Sequence, residues 1–247
     1  MGAWLVKEIK DIQGSDPTQP KKNGKTRIVC ISDTHSQTDN EDFPAIPDGD
    51  ILIHSGDFTN HGTHEDIQKF NAWLGTLPHQ HKVVIAGNHD KTFDATFENN
   101  NEESAKEVQD MLTNATYLQD TLIELNNLKI FGSPWVPRHG HWGFLLNESQ
   151  RLEKWSEIPK ETDVLITHGP PHGIGDLTDR DVHMGCKHLL AKVKEVKPKL
   201  HVYGHIHEAA GIRTDGTTIF ANAGTVAGGI GWHKRKIAFN QPIVIDL

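Results

Sequence analysis

From Arg27 onward the chain alternates short apolar runs with polar loops, and several of the loops lead into helical patterns. The apolar runs are rich in β-branched residues and leucine. Continuous short runs of this kind are typical of strands that are buried on both faces of a sheet. The pattern therefore predicts core strands at Arg27–Ser32, Ile51–His54, Lys82–Ala86, Asp163–Thr167 and Leu200–Tyr203.

Apolar residues at three- and four-residue spacing predict helices between these strands. Two further apolar runs on either side of Asn126-Asn127 predict a β-hairpin. Strands that alternate with helices indicate an α/β architecture. The predicted helices are Glu65–Leu74, Glu103–Leu112 and Cys186–Val196, and the further strands are Thr121–Leu125, Leu128–Phe131, Thr217–Asn222 and Pro242–Asp246.

Residues 11–25 differ from the rest of the chain because they are mostly polar and contain several prolines and glycines. This composition is typical of an extended or mobile segment. The remainder contains no internal repeat and no abrupt change in composition. We therefore predict a flexible lead-in at 1–25 and a single domain at 26–247.

Each of the five predicted core strands is followed within three residues by Asp, Asn or His, and ligands bind at this edge of open α/β sheets. Carboxylate, amide and imidazole donors suit Mn, Fe, Zn or Co better than Ca. Any one of these short motifs is also compatible with a solvated turn. Five such motifs in order, each after a predicted strand, are not explained by turns alone and indicate two metal ions that share a carboxylate. The candidate ligands are Asp33, His35, Asp57, Asn88, His168, His205 and His207.

The same motifs resemble the signature of the calcineurin-like metallophosphoesterase superfamily, whose motif positions are all filled here in order. Five longer segments resemble its metallophosphoesterase-domain-containing branch, which is similar to class III cyclic nucleotide phosphodiesterases. These segments are Gly-Asp-Phe-Thr-Asn at 56–60, Lys-Val-Val-Ile-Ala-Gly-Asn-His at 82–89, Phe-Gly-Ser-Pro-Trp at 131–135, Ile-Thr-His-Gly-Pro-Pro at 166–171 and the C-terminal Pro-Ile-Val-Ile-Asp-Leu.

The resemblance implies two metal ions, with manganese expected to support activity. One ion would be held by Asp33, His35 and His207, and the other by Asn88, His168 and His205. Asp57 would bridge the two. The implied fold is a four-layer α/β/β/α sandwich of two mixed β-sheets flanked by helices.

The expected reaction is hydrolysis of cyclic nucleotides or related small phosphodiesters by metal-activated hydroxide. His89 is the candidate acid that protonates the leaving group. Asp90 is expected either to orient His89 or to cap a turn. Phosphomonoester hydrolysis, nuclease activity and a weakly catalytic nucleotide-binding scaffold are the alternatives. Trp135, Arg138 and Trp142 form either a wall for a substrate ring or ordinary packing.

The composition and charge of the chain bear on the partners and the location that are expected for this reaction. The net charge of −8 and the scattered basic residues argue against extended nucleic acid as a partner. No apolar stretch approaches the length of a membrane span. The two cysteines form no disulfide framework, so a cytoplasmic location is expected. A small phosphoester or nucleotide is therefore the expected substrate, and the oligomeric state is left open.

Overall fold

The computed structural model describes residues 8–227 and 237–247. Within them lie sixteen strands, four α-helices and two single-turn 3-10 helices at Lys91–Phe93 and His207–Ala209. The helices are α1 (His64–Thr76), α2 (Glu102–Asp110), α3 (Glu148–Ser156) and α4 (Lys187–Val196). The strands are β1 (Lys10–Asp11), β2 (Arg27–Ile31), β3 (Ile51–His54), β4 (His81–Val84), β5 (Thr116–Tyr117), β6 (Thr121–Leu125), β7 (Leu128–Ser133), β8 (Val136–Pro137), β9 (Leu145–Leu146), β10 (Val164–Thr167), β11 (Leu200–Tyr203), β12 (Gly211–Thr214), β13 (Ile219–Asn222), β14 (Val226–Ala227), β15 (Ala238–Phe239) and β16 (Ile243–Asp246).

Two mixed sheets organise the described chain. The first has the strand order β16-β2-β3-β4-β5, in which β16 is antiparallel to β2 and the other neighbours are parallel. The second has the order β1-β12-β13-β11-β10-β7-β6, with its parallel pairs at the centre. Two small sheets join β8 to β9 and β14 to β15. All five predicted core strands are thus confirmed, three in the first sheet and two in the second.

The two large sheets pack face to face around one apolar layer. Ile53 of β3 and Ile166 of β10 both lie in this layer with no solvent exposure. Helices α1 and α2 cover the outer face of the first sheet, and α3 and α4 cover that of the second. The arrangement confirms the expected α/β/β/α sandwich. Burial of this kind contributes roughly 25 cal/mol per Å² of apolar surface.

Most predicted elements are confirmed within a few residues of their expected ends. The hairpin between β6 and β7 turns at Asn126 and Asn127, whose φ angles of 50° and 60° fit the left-handed backbone that asparagine tolerates. Helix α3 was not predicted. It buries Trp155 but leaves Leu152 66% exposed, so its sequence lacks the apolar stripe by which a helix is recognised.

The described part of the N-terminal segment contacts both large sheets. Strand β1 pairs with β12, where Lys10 lies opposite Thr214. Farther along, the backbone N–H of Ser15 donates to the carbonyl of Val244 at 2.7 Å. Residues 1–7 of the predicted lead-in lie outside the described residues, and the boundary between 25 and 26 stays a prediction. In the described chain, none of the helices has the length and apolar character needed to cross a membrane.

Candidate metal centre

The predicted ligands lie where strands of both large sheets end at one side of the sandwich. Asp33 and Asp57 follow β2 and β3, and His205 follows β11. All three have positive φ angles, of 52°, 54° and 68°. Such angles are uncommon outside glycine and occur often at functional sites. The backbone is therefore bent sharply just after each strand, at the residues that carry donors.

One group of donors converges from Asp33, His35 and His207. The Nε2 atoms of the two histidines lie 3.3 Å apart, and His207 Nε2 lies 3.2 Å from Asp33 Oδ1. His35 Nε2 is also 3.8 Å from Asp57 Oδ2. The ligand atoms of Asp33, His35 and His207 thus lie within 4.8 Å of one another, as a single cation requires.

A second group converges from Asn88, His168 and His205. His168 Nε2 lies 3.0 Å from Asn88 Oδ1 and 3.3 Å from Asp57 Oδ2. Its Nδ1 donates to the carbonyl of Ser55 at 2.9 Å, because a carbonyl can only accept. That bond directs Nε2 into the site, as in metal sites where the second ring nitrogen is held by a backbone carbonyl. Donor atoms of Asp57, His168 and His205 all lie within 4.8 Å of one another.

Asp57 belongs to both groups, and its surroundings leave no room for larger side chains. A Cβ atom on Gly87 would collide with Asp57 Oδ1, and one on Gly204 would collide with Asp33 Oδ2. The absence of a side chain at these two glycines lets the loop backbone approach the carboxylates. The predicted bridging position of Asp57 is therefore compatible with the packing around it.

Electrostatic interactions inside the centre oppose the cost of burial. Burial alone would raise the pKa of Asp57, but the nearby His168 lowers it well below its usual value. Burial disfavours the charged form of His168, yet the Asp57 carboxylate raises its pKa to about 9. Burial lowers the pKa of His35 to about 4. In the described chain, the ion-pair partners of Asp33 and Asp57 are all histidines.

The donor set fits divalent cations. Two buried carboxylates create a negative potential that stabilises a proton on His168, and a cation at the same place supplies the same kind of charge. Buried carboxylates normally need such a partner. Mixed oxygen and imidazole donors suit Mn, Fe, Zn or Co. The structure brings all seven predicted residues together, and their roles as ligands stay predictions.

His89 lies at the rim of this centre, and the carboxylate of Asp90 binds the backbone of the neighbouring loops. The side chain of His89 is 23% exposed, and its Nε2 lies 4.0 Å from Asp57 Oδ2. The carboxylate of Asp90 is fully buried and accepts hydrogen bonds from the backbone N–H groups of Thr59 and Gly87 and from the Thr59 hydroxyl. These contacts position the loop backbone rather than the ring of His89.

Several residues near the centre carry no motif that sequence reasoning recognises. His54 is fully buried, and its Nδ1 accepts from the N–H of Gly56 while its Nε2 donates to Thr34 Oγ1. It therefore links the two loops that carry Asp33 and Asp57. The only signal for it in the sequence is its position at the end of a core strand.

The segment from Pro137 to Gly143 passes beside the donors and contributes two rings. The ring of His139 lies 4.9 Å from that of His205, and the ring of Trp142 lies 4.0 Å from that of His89. Of the predicted wall, only Trp142 contacts the site. Trp135 donates a hydrogen bond to Asp120, and Arg138 donates one to Asn147. These contacts correspond to ordinary packing rather than to a wall for a substrate ring.

Comparisons with known proteins agree with this geometry. The family model described as calcineurin-like phosphoesterase matches residues 26–209. Metallophosphoesterase domain-containing protein 1 from Homo sapiens is 44% identical over 257 residues, which cover 96% of this chain and 76% of that protein. A UPF0046 protein from Caenorhabditis elegans is 41% identical over 259 residues, covering 98% and 90%. The phosphopantetheinyl hydrolase PptH from Mycobacterium tuberculosis shares the fold, with a TM-score of 0.55 at 12% identity over 89% of this chain and 97% of that one.

Proposed function

This chain belongs to the calcineurin-like phosphoesterases and to their metallophosphoesterase-domain-containing branch, and we propose that it is a phosphodiesterase acting on cyclic nucleotides or related small phosphodiesters. Membership of the family makes it a metal-dependent phosphoesterase. The observation that supports the proposal best is the complete donor set around Asp57, with His89 Nε2 at its rim.

The proposed roles of the donors follow from their grouping. Asp33, His35 and His207 would hold one divalent cation, with Asp57 completing the set through Oδ2. The second cation would be held by Asn88, His168 and His205 together with the same Asp57 carboxylate. Bound at these positions, the two cations would supply a nucleophile at neutral pH and neutralise charge on the phosphoryl oxygens.

The chain itself would supply the proton for the leaving oxygen through His89. Its Nδ1 lies 2.9 Å from the carbonyl of Asn60, and Nδ1 must donate because a carbonyl only accepts. Nε2 is therefore the atom that transfers a proton. The backbone N–H of His89 donates to Asp57 Oδ1 at 2.7 Å, which keeps the ring beside the centre. Proton donation of this kind typically contributes ~10²–10⁴-fold to a rate.

The direct test compares turnover of bis(p-nitrophenyl) phosphate with that of p-nitrophenyl phosphate after loading with manganese. Metal-free protein is the blank, and iron, zinc and cobalt are loaded in parallel. We expect a higher kcat/KM for the diester, with the highest activity in manganese. The 2′,3′- and 3′,5′-cyclic nucleotides are then compared as substrates. A higher kcat/KM for the monoester would contradict the diesterase, and tight nucleotide binding without hydrolysis would indicate a scaffold.

A further inference from the structure

The indole of Trp142 lies flat against the imidazole of His89. The ring centroids are 4.0 Å apart, and the planes are inclined by 27°. On the same indole, Lys91 Nζ lies 4.5 Å from the ring centroid, a distance typical of a cation–π contact. The face of the His89 ring is therefore covered by a large side chain that is itself held in place.

Apart from the more distant stacked ring of His61, at 6.4 Å, the other contacts of His89 hold its edge. Nδ1 donates to Asn60, and the ring of His35 meets that of His89 nearly edge-on, at 4.8 Å and 84°. A single hydrogen bond through Nδ1 still permits the ring to tilt about the bond to Asn60. Contact with a flat indole opposes that tilt, because tilting would separate the stacked surfaces. Asn60 and Trp142 thus restrict two different motions of the same ring.

The backbone that follows Trp142 is attached to the segment that carries Asn88 and His89. The N–H of Gly143 donates to the carbonyl of Asn88 at 3.0 Å, and the N–H of Phe144 donates to Asp94 Oδ2 at 2.7 Å. Phe144 is fully buried. The position of Trp142 is therefore set relative to Asn88 and His89 rather than by a free surface loop.

We propose that Trp142 is a positioning residue for proton transfer, which holds the His89 ring so that Nε2 reaches the leaving oxygen. The proposal rests on the proposed function, since it requires His89 to act as the acid. Proton transfer needs heavy atoms within about 2.6–3.2 Å in the reacting complex. A displacement of about 1 Å can cost ~10²-fold in rate. A partly exposed imidazole held only through Nδ1 would often miss that distance.

Trp142→Leu tests this role, because leucine retains apolar volume but removes the flat ring. Trp142→Phe retains a smaller aromatic face. Trp73→Leu serves as the matched control, since Trp73 is another partly buried tryptophan that stacks on Phe70, 5.8 Å away on α1. Two diesters of nearly the same shape are compared, bis(p-nitrophenyl) phosphate and diphenyl phosphate. The second has the poorer leaving group and depends more on an acid.

For Trp142→Leu we expect kcat on diphenyl phosphate to fall roughly tenfold or more, as part of the ~10²–10⁴-fold contribution of an acid. On bis(p-nitrophenyl) phosphate it should fall by less than about threefold, because a good leaving group needs little protonation. Metal content should stay at the wild-type level. Trp142→Phe should recover most of the loss, and Trp73→Leu should behave as wild type. In a His89→Ala background, Trp142→Leu should cause no further loss, because the two residues act in one step.

Equal losses on both diesters, or a raised KM with unchanged kcat, would overturn the positioning role and identify Trp142 as a structural or substrate-binding residue. A further loss in the His89→Ala background would overturn it as well. Failure of the proposed function gives a different result. His89→Ala itself would then slow both diesters equally, or the metal-loaded wild type would hydrolyse neither, and the positioning role would fall with it.

Discussion

The two large sheets contribute different chemistry to one centre. The first sheet delivers the oxygen donors, Asp33, Asp57 and Asn88, from the ends of β2, β3 and the segment after β4. The second sheet delivers only imidazoles from the ends of β10 and β11, namely His168, His205 and His207. His35, which also follows β2, adds one imidazole to the first sheet. The carboxylates therefore come from one side only, whereas imidazoles come from both.

Each group of donors combines residues from both sheets. Asp33 of the first sheet meets His207 of the second at 3.2 Å, and Asn88 meets His168 at 3.0 Å. Neither sheet alone contains a full set for either cation. Cation binding is therefore expected to depend on how the sheets pack, and bound cations are expected to hold the sheets together.

Loss of Asp57 is the largest perturbation of this arrangement. Asp57→Ala is expected to abolish binding of both metals and to reduce phosphoester hydrolysis to background, because Asp57 Oδ2 lies 3.8 Å from His35 Nε2 and 3.3 Å from His168 Nε2. Elemental analysis and turnover of bis(p-nitrophenyl) phosphate measure the two effects. Asp57→Asn is the matched control that retains the shape but not the charge. An alanine variant that keeps two metals would show that Asp57 does not bridge.

Removal of the His89 ring distinguishes the role of the proposed acid from the roles of the proposed metal ligands. His89→Ala is expected to retain both metals and to slow the hydrolysis of diphenyl phosphate by ~10²–10⁴-fold, the usual contribution of general acid catalysis. The loss on bis(p-nitrophenyl) phosphate should be much smaller. Steady-state kinetics measure the rates of hydrolysis of both diesters, and elemental analysis of the same samples measures their metal content. Loss of metal in this variant would place His89 among the ligands instead.

A substitution that leaves a cavity between the two large sheets tests whether their packing controls metal affinity at the centre. Ile53→Ala removes a fully buried side chain from the layer between the sheets, and Ile67→Ala removes one from the layer under α1. Both are expected to lower the free energy of unfolding by roughly 2–5 kcal/mol. Only Ile53→Ala should also weaken metal affinity, which titration calorimetry measures. Equal metal affinity in the two variants would mean that the centre tolerates changes between the sheets.

Metal removal tests the reverse effect, that of the cations on the fold. Ligands that bind only the folded state add about 2.7 kcal/mol of stability when their concentration is 100 times Kd. Chelation is therefore expected to lower the free energy of unfolding by an amount of this order and to lower Tm. Urea unfolding with and without chelator measures it, and Asp57→Ala should show no difference. A chelator effect of equal size in Asp57→Ala would place the stabilising metal elsewhere.

Local patterns were sufficient to predict the core strands and the residues that follow them. Runs such as Ile51–His54 are recognisable because every residue is buried, so the requirement for apolar side chains leaves a continuous signal. The donor positions follow from the ends of those runs. Helix α3 left no such signal, because Trp155 is the one residue of its nine that is fully buried.

Contacts between distant segments could not be predicted in this way. The sequence leaves two roles open for Asp90, and its carboxylate accepts from the backbone N–H of Gly87 in its own turn and also from that of Thr59, 31 residues away. Trp142 and His139 reach the centre from a segment without regular periodicity. Their positions depend on the hydrogen bonds that attach this segment to Asn88 and Asp94.

The sequence by itself determined the α/β class, the core strands and the identity of the seven candidate donors, because each is encoded within a few neighbouring residues. Only the tertiary structure decided which donors face one another, that the second sheet adds three imidazoles to the oxygens and His35 of the first, and that Trp142 lies against His89. His207 and Asp33 are 174 residues apart and come within 3.2 Å. Such distances exist only when the two sheets pack together, since burial of their shared apolar layer fixes one strand end against the other.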